Sequence, residues 1–438
     1  MPNTFARMTW RKVFKTIYLA CLALVAGYFD ATGQTNDTIT LSLQQAEQRF
    51  LQENFLLLAS KFEIEAAQGA IIQAKLFNNP EVYLEQNVYN PNSPDSRKFF
   101  NTSKNGQNIL QVMQLFELAG KRNKRVALEK INKEIAEHQF YDLLRSLKYE
   151  LRVNFIDLYY HIKSLKMYDQ EVSSLRTTIN LFQEQYEKGN IALKEVLRLK
   201  AFLLSLESEQ NQLYKDISEK QAILHILMNL QGNTYIKPVL ENSVDKELSS
   251  TDITSLIDTA KNYRSDLKIH EAALKRDKQM LSLQKAMSIP DIKAGGVYDK
   301  AGSFIQNYIG IGLQVDLPVF NRNQGNIKIA ESRIKQSEAL YNEMQKEVES
   351  QITKAFQQTK DIDELVKRYD KTLEPDFDLL IEGLLKSFTK RNITLLELID
   401  YYESYKNSIL TLHKLQIERL SLFEELNYYT GTNIFNIQ

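Results

Sequence analysis

Long stretches of the chain carry apolar residues at helical spacing and contain almost no helix breakers. Neither Pro nor Gly occurs between Lys121 and Glu187, and only Pro375 and Gly383 occur between 326 and 389. Because a helix rises about 1.5 Å per residue, 65 residues make a rod roughly 100 Å long. Pro375 lacks the amide proton of the helix ladder and predicts a break. The pattern predicts long helices at about 121–187, 192–230, 326–389 and 394–429.

The third of these helices carries apolar residues that step by threes, fours and sevens. This spacing is typical of a coiled-coil seam, with a four-residue stutter between Val348 and Ile352. A rod with an exposed apolar seam needs neighbouring helices to cover it. The seam consists of Ile327, Ala330, Ile334, Tyr341, Met344, Val348, Ile352, Ala355, Ile362, Val366, Tyr369 and Leu373.

Four shorter stretches alternate between apolar and polar residues and predict strands, at about 81–90, 107–118, 291–300 and 307–318. Strands of about ten residues with one apolar face are typical of a membrane β-barrel. A soluble hairpin with one buried face has the same alternation, so the pattern alone leaves both interpretations open. On the barrel interpretation the lipid-facing residues of the last strand are Ile309, Ile311, Leu313, Val315 and Leu317.

The order of predicted elements occurs twice along the chain. Asn54–Pro80 and Arg264–Pro290 are both helical patterns that run into a proline and then a strand. The segments EKGNIALKEVL (187–197) and TKRNITLLELI (389–399) are turns that start a helix, and they lie 202 positions apart. We therefore predict two tandem structural repeats, 34–232 and 251–438, joined by a linker at 233–250.

The first 33 residues have the organisation of a secretory signal peptide. Basic residues precede an apolar run from Ile17 to Gly27, and small residues follow at 31–33. Cys21, the only cysteine, is a candidate lipidation site, although Tyr18 stands where such sites usually carry Leu. No later segment has 18 consecutive apolar residues, so the sequence predicts an exported protein without a second transmembrane helix.

The charged and histidine residues form no pattern that indicates catalysis. The chain has 55 Lys+Arg and 55 Asp+Glu, and this zero net charge gives no reason to expect a nucleic-acid partner. Phosphate-binding, serine-nucleophile and zinc-binding motifs are absent from the sequence. We therefore predict a protein that is not an enzyme, with no cofactor and no metal site. The five histidines are scattered: His138, His161, His225, His270 and His413.

Three motifs and the two turns resemble the TolC family of outer-membrane efflux ducts over nearly all of the mature chain. The motifs are LSLQQA at 41–46, LFELAGKR at 115–122 and LPVFNRNQG at 317–325. The last two look most like the heavy-metal-efflux (CzcC/CusC-like) branch. The resemblance implies a mainly α-helical fold with a membrane β-barrel part, in which two tandem helix–β-hairpin–long-helix-pair repeats build a trimeric tube.

The resemblance also implies the partners and the location. Four strands are too few to close a membrane barrel, which uses about eight or more, so a homotrimer would share one 12-stranded barrel. The helices would form a tunnel through the periplasm, docked to a periplasmic adaptor protein and an inner-membrane RND-type pump. The barrel would contact outer-membrane lipid.

Family resemblance assigns candidate functional residues to the second turn. Matching the family motif places acidic gate residues at Glu397 and Asp400, which share one helix face. Thr394-x-x-Glu397 is also a capping box, so Glu397 has the alternative role of satisfying a helix-start amide. The equivalent of Asp400 in the first repeat is Arg198. The predicted adaptor-contacting tips are Lys188, Gly189, Asn190, Lys390, Arg391 and Asn392.

The predicted function is a passive outer-membrane channel subunit of a tripartite efflux system, with metal ions or small toxic compounds as cargo. Two alternatives stay open. One is a non-channel periplasmic coiled-coil scaffold or adaptor, and the other is a TolC-like duct for protein secretion. The alternating stretch from Tyr308 to Leu317 favours a duct, because an adaptor has no need of lipid-length strands.

Overall fold

The computed structural model describes residues 37–88, 106–241, 244–248, 251–302, 304–369, 383–384, 386–388, 390 and 392–437. The predicted signal peptide (1–33), Cys21, Pro375 and Arg391 lie outside the described residues.

The chain is built from two copies of one series of elements. The first copy contains β1 (Thr38–Ser42), α1 (Leu43–Glu53), α2 (Phe55–Lys75), β2 (Glu81–Gln86), β3 (Asn108–Phe116), α3 (Lys121–Glu187) and α4 (Leu193–Met228). After β4 (Tyr235–Val239), the second copy contains α5 (Ile253–Tyr263), α6 (Ser265–Met287), β5 (Ile292–Ala301), β6 (Gln306–Val315), α7 (Gln324–Arg368) and α8 (Leu395–Thr430). The predicted tandem order of helix, hairpin and long-helix pair is confirmed.

Local sequence explains where the helices begin and end. Ser42 and Gln45 form a capping box at the start of α1, with each side chain accepting the other's backbone amide. The two longest helices start after left-handed residues, Gly120 (φ 68°) before α3 and Asn323 (φ 59°) before α7. Left-handed residues also end α4 and α8, at Asn229 and Gly431.

One four-stranded antiparallel sheet holds both hairpins, in the order β2-β3-β5-β6. Val82 pairs with Val112 in the first hairpin, and Ile292 pairs with Val315 in the second. Phe116 of β3 pairs with Ile292 of β5 and joins the two hairpins side by side. Within the protomer, β2 and β6 are therefore edge strands whose outer backbone groups have no partner strand in the described part of the chain.

The core lies between the long helices and is divided along their length. One cluster packs α3, α4 and α8 against α1, β4 and the C-terminal residues, around Phe155, Leu224 and Phe423. A second cluster packs the far ends of α3 and α4 against residues 384 and 388 and the start of α8. The seam of α7 is covered as its spacing predicts, since Val348, Ile352 and Ala355 are fully buried.

The structure differs from the predicted bounds at two places. α7 ends at Arg368, where Tyr369 turns to an extended conformation, so the predicted helix 326–389 is not continuous across this residue. The break predicted at Pro375 falls outside the described residues and stays a prediction. The predicted linker 233–250 contains a strand, β4, which pairs in parallel with β1.

A search of the described helices finds no segment that is both long enough and apolar enough to cross a membrane.

Candidate functional site

The four-stranded sheet has one face that is mostly apolar. In antiparallel strands, directly paired residues point to the same face, so the register assigns every side chain to a side. Ile311 pairs with Gly296, which in turn pairs with Val112, and Val112 pairs with Val82. Most side chains on this face are exposed, with Ile311 the extreme case at 92%, while Ile292 and Ala294 are half-buried. Its apolar residues are Val82, Leu84, Leu110, Val112, Phe116, Ile292, Ala294, Tyr298, Ile309, Ile311, Leu313 and Val315, and the polar residues Gln86, Asn108 and Gln114 lie on the same face.

Four of the five predicted lipid-facing residues lie on β6 and on this face. Leu317, the fifth, is exposed but lies two positions past the end of β6. β6 ends at Val315 because its partner β5 begins at Ile292, so Leu317 has no residue to pair with in the protomer. The sequence pattern alone did not single out the matching residues of β2 and β3, whose alternation is less regular.

The opposite face of the sheet is mixed, with polar and small residues beside the apolar Ile109, Met113, Leu115 and Val297. Lys293 forms a salt bridge with Glu81 across the intervening strand, with Nζ–Oε1 at 2.9 Å. Gln107 donates a hydrogen bond to Asp299 at 3.2 Å. The ring of Tyr308 lies over Gly310, where a Cβ would overlap the ring unless the tyrosine side chain moved. This side is the more polar of the two, and we call it the polar face.

Both predicted tips lie at the same end of the helices. The aromatic rings of Phe182, near the end of α3, and Phe388 stack with centroids 5.0 Å apart. Tyr402 of α8 packs edge-on against Phe202 of α4, and its hydroxyl lies 3.3 Å from Ser174 Oγ. These contacts bring the α3–α4 turn and the turn before α8 together, far from the sheet.

The first tip has a regular helix-ending geometry. Gly189 adopts φ 75°, and its amide donates to Tyr186 O at 2.9 Å. The amide of Asn190 donates to Gln185 O at 2.9 Å, which completes a Schellman motif. In the second tip the amide of Asn392 donates to Ser387 O at 3.0 Å, the same bond 202 positions later. The tip residues that the structure describes, Lys188, Gly189, Asn190, Lys390 and Asn392, are all exposed.

Glu397 acts as a helix cap in this structure. Its carboxylate accepts hydrogen bonds from the Thr394 amide at 2.7 Å and the Thr394 hydroxyl at 2.8 Å. The Glu397 amide in turn donates to Thr394 Oγ1 at 3.2 Å. These bonds, the backbone one first, lower the pKa of Glu397 below its usual value. The first repeat has Ala192 at the equivalent cap and no side-chain bond there.

Asp400 lies one turn further along α8 and faces solvent with Glu397. Within the described residues, no hydrogen bond or ion pair reaches the Asp400 carboxylate. Glu403, three positions on, is exposed as well and extends the acidic series, which the sequence interpretation missed. The signal was present as a repeated spacing of three (397, 400, 403), in which each residue lies about 60° around the helix from the next. Inward of this series, Leu398 and Tyr402 anchor α8 to the core.

A cluster of charged side chains lies between α3, α4 and α8, on the sheet side of the two tips. Lys406 of α8 binds Glu209 of α4, with Nζ–Oε2 at 2.7 Å, and the Tyr168 hydroxyl donates to the same Glu209 at 2.9 Å. Glu171 of α3 is 4% exposed, and neither carboxylate oxygen has a hydrogen-bond partner among the described residues. Desolvation raises the pKa of Glu171 to about 8, Lys406 opposes this shift and Glu209 adds to it.

Among the described residues, no group of three or more His, Cys, Asp or Glu side chains is placed to hold a metal ion.

Comparison with known proteins gives one family and a set of related structures. Residues 46–230 match the family described as outer membrane efflux protein. The cobalt-zinc-cadmium resistance protein CzcC of Cupriavidus metallidurans is 21% identical over 327 residues, covering 72% of this chain and 75% of CzcC.

Several solved structures have the same fold. A CusC structure superimposes with a TM-score of 0.71 at 14% identity, covering 89% of this chain and 92% of that one. The Campylobacter jejuni CmeC outer membrane channel superimposes with a TM-score of 0.73 at 14% identity, covering 89% of this chain and 86% of CmeC. The Vibrio cholerae outer membrane protein VceC superimposes with a TM-score of 0.69 at 17% identity, covering 89% of this chain and 96% of VceC.

Proposed function

We propose a function from the premise that this chain belongs to the outer membrane efflux protein family: it forms the exit duct of a tripartite efflux system. It is an outer-membrane protein that extends into the periplasm, and it is not an enzyme. On this proposal it conducts exported solutes passively, and its partners supply the energy.

The sheet is the observation that carries the proposal. It has two edges without a partner strand among the described residues, one face that is mostly apolar across all four strands, and one more polar face. Unpaired edges in lipid cost several kcal/mol for each unsatisfied backbone group. Three copies would supply 12 strands and close a barrel, with the apolar face toward lipid and the polar face toward the lumen. A periplasmic scaffold or adaptor has no use for such a sheet, so this alternative is disfavoured.

The helices would continue the duct into the periplasm as a tunnel. Both tips lie at the end away from the sheet, which is the end that a periplasmic adaptor and an inner-membrane RND-type pump would reach. We assign adaptor contact to the two turns, Lys188–Asn190 and Lys390–Asn392. Their exposure and matching hydrogen bonds support this assignment.

We assign the gate to the acidic series at the start of α8, namely Glu397, Asp400 and Glu403. Three copies would bring nine carboxylates to the narrow end of the tunnel, where they would attract cations and repel anions. Capping does not conflict with this role, because the carboxylate of Glu397 stays exposed while it accepts the Thr394 bonds.

We favour divalent metal cations as cargo. The acidic gate suits cations, and the relative CzcC is described as a cobalt-zinc-cadmium resistance protein. Deletion of the gene should then sensitise cells to Co²⁺, Zn²⁺ or Cd²⁺ but not to detergents or dyes. The reverse pattern would indicate a drug duct, and loss of a secreted protein would indicate the protein-secretion alternative.

The gate assignment is tested by a double variant, Glu397→Gln with Asp400→Asn. Gln at this helix position retains the capping box, so the variant removes charge and keeps the helix start. In planar bilayers under a KCl gradient, the reversal potential of the variant should move toward zero relative to the wild type.

Two controls separate charge from capping. Thr394→Ala removes the cap but keeps every carboxylate, so its reversal potential should match the wild type. Glu195→Gln neutralises the equivalent position of the first repeat and should also leave selectivity unchanged. An unchanged reversal potential in the double variant would leave Glu397 with the capping role alone.

A further inference from the structure

A cleft opens where the end of α8 meets the start of α6. Gly431 follows α8 with φ 74°, and a Cβ built on it would lie 3.1 Å from the amide nitrogen of Arg264, the residue before α6. α3 passes this break between the two helices, and its residues between His138 and Arg152 line the cleft. The cleft has a volume of about 420 Å³, which lies within the range of small-molecule sites.

Tyrosine rings form much of the cleft wall. Tyr149 of α3 and Tyr428 of α8 both line it, and their ring centroids lie 5.1 Å apart. Tyr141 and Tyr263 line it as well and remain exposed. Rings at such spacing offer an apolar surface on which a further ring packs favourably, either offset or edge-on. The cleft therefore suits a ligand that contains a ring.

Most of the charged side chains around the cleft are already paired. Arg145 of α3 donates hydrogen bonds to Asp266 at 2.9 Å and to Asp142 at 2.6 Å. Its other terminal nitrogen donates to the backbone oxygen of Tyr428 at 2.8 Å. These groups bind each other and hold the walls of the cleft together. The remaining ion pairs are Arg264 with Asp266, Arg152 with Glu47 and Glu424, and Lys148 with Glu47.

Lys268 is the exception among these cations. It lies on α6 close to the break and is half-buried, and no hydrogen bond or ion pair reaches its ammonium group within the described residues. Its Nζ lies 6.0 Å from the centre of the Tyr263 ring, at the limit of a cation–π contact. Glu271, one turn further along α6, binds Lys275 instead, at 3.1 Å. The ammonium group of Lys268 is thus available to an acceptor from outside the chain.

Two more polar groups of the cleft lack acceptors in the described part of the chain. Arg145 Nε is buried and has no hydrogen-bond partner there. The imidazole of His138 makes no hydrogen bond there either. Desolvation and the charge of Lys268 lower the pKa of His138, although Glu134 and Glu137 oppose the shift. A neutral imidazole still donates one hydrogen bond, so donors exceed acceptors in the cleft.

We propose that this cleft binds a small aromatic carboxylate. The carboxylate accepts hydrogen bonds from Lys268, and the ring packs among the tyrosines of α3 and α8. A neutral aromatic compound would leave the ammonium group unpaired, and an inorganic anion would leave the tyrosine rings uncovered. The proposal stands apart from the proposed duct, because it needs only the fold of one protomer.

The test is binding of benzoate to the purified full chain in detergent, measured by ligand-observed NMR. Benzoate at millimolar concentration should bind, and it should raise the Tm of the protein because it binds only the folded state. Benzamide has the ring without the charge, and cyclohexanecarboxylate has the charge without the aromatic ring. Both should bind about tenfold more weakly than benzoate, since each makes only half of the proposed contacts.

Variants of Lys268 locate the site. Lys268→Gln should weaken benzoate binding by about tenfold or more, because it removes a charge-assisted hydrogen bond. Lys268→Arg retains the charge and should keep most of the affinity. Lys278→Gln is the matched control, since Lys278 is exposed on the same helix about 15 Å further along, and it should bind benzoate as the wild type does. Tyr263→Leu removes one ring and should weaken binding several-fold.

Each contrary result overturns a named part of the proposal. Equal benzoate affinity in Lys268→Gln and the wild type would overturn the site. Equal affinity for benzoate and either of the two analogues would overturn the ligand class. Absence of benzoate binding to the folded wild type would overturn the proposal as a whole. None of these results bears on the duct, which is tested separately by conductance in planar bilayers.

Discussion

At the residue scale, the least expected group is the carboxyl of Glu171. It lies between α3, α4 and α8 without a hydrogen bond, facing Lys406 and Glu209, which already bind each other. Burial raises the pKa of Glu171 more than the attraction to Lys406 lowers it. A buried carboxylate without partners is costly, so the neutral acid is the form that suits this position.

Glu171→Gln should stabilise the protein at neutral and alkaline pH. The pKa rises from 4.5 to about 8 on folding, so the folded state holds a proton that the unfolded state releases between these values. Stability contributed by this group therefore falls as pH rises from about 4.5 to 8. The variant lacks this pH-dependent loss, so its free energy of unfolding near pH 7.5 should exceed that of the wild type by about 1–3 kcal/mol. Thermal unfolding in detergent as a function of pH measures it.

Glu219→Gln is the control for this variant, since Glu219 is exposed on α4. It should leave the pH profile of the wild type unchanged. Parallel profiles for wild type and Glu171→Gln would show that the buried carboxyl does not titrate in this range.

Sequence reasoning reached Glu397 but not Glu171, for a physical reason. The capping box of Thr394 and Glu397 is local, and three positions of spacing are enough to predict it. The surroundings of Glu171 come from α4 and α8, whose charged residues Glu209 and Lys406 are distant in sequence. A lone Glu in a helical pattern looks like part of a solvated face until the partner helices are known.

At the element scale, the first tip depends on a left-handed residue at its apex. Gly189→Ala should destabilise the turn by roughly 1–2 kcal/mol, because a Cβ at φ 75° approaches the following carbonyl oxygen. Unfolding of the purified protein in denaturant measures the loss.

Gly232→Ala is the matched control, since Gly232 has no positive φ and a Cβ there meets nothing within 4 Å. It should change stability little. Equal losses in the two variants would mean that backbone freedom at Gly189 is not what holds the tip.

Element patterns explain what could be predicted and what could not. The alternation along β6 predicts a strand and both of its faces, because strand period and burial agree there. β4 was not predicted, since it is a short strand whose only partner, β1, lies about 200 positions away. The end of α7 at Arg368 was also missed, because the apolar seam continues across it in sequence.

At the scale of the whole molecule, the two faces of the sheet should tolerate charge very differently. Ile311→Lys places a charge on the apolar face, where it should cost about 2–4 kcal/mol near the middle of a bilayer. The fraction of protein recovered as a heat-modifiable trimer from outer-membrane fractions should fall.

Gln111→Lys is the control on the polar face, in the series with Glu85 and Asp299. It should leave trimer recovery near the wild-type level and shift only conductance. Similar losses from both variants would contradict the assignment of the two faces.

The molecule as a whole was largely predictable because it repeats itself. Two copies of one pattern set the order of elements, and the long uninterrupted helices exclude a compact domain. Contacts between copies were not predictable, since they depend on which surfaces the protomer leaves uncovered. Leu76 shows this limit, because only the structure reveals that this apolar residue of α2 is 57% exposed in the protomer.

The early end of α7 has a consequence for the history of the chain. Spacing between the repeats is 203 positions at the helix starts but 202 at the tips, so one residue has been lost or gained in between. Within an unbroken helix, a single-residue deletion would rotate everything beyond it by about 100° and turn its apolar stripe to solvent. α3 is continuous, whereas α7 stops at Arg368. The end of α7 at Arg368 is a place where one residue can be inserted or deleted without rotating a buried stripe. We therefore expect that the change in length occurred after α7 and not within α3 as the duplicated halves diverged.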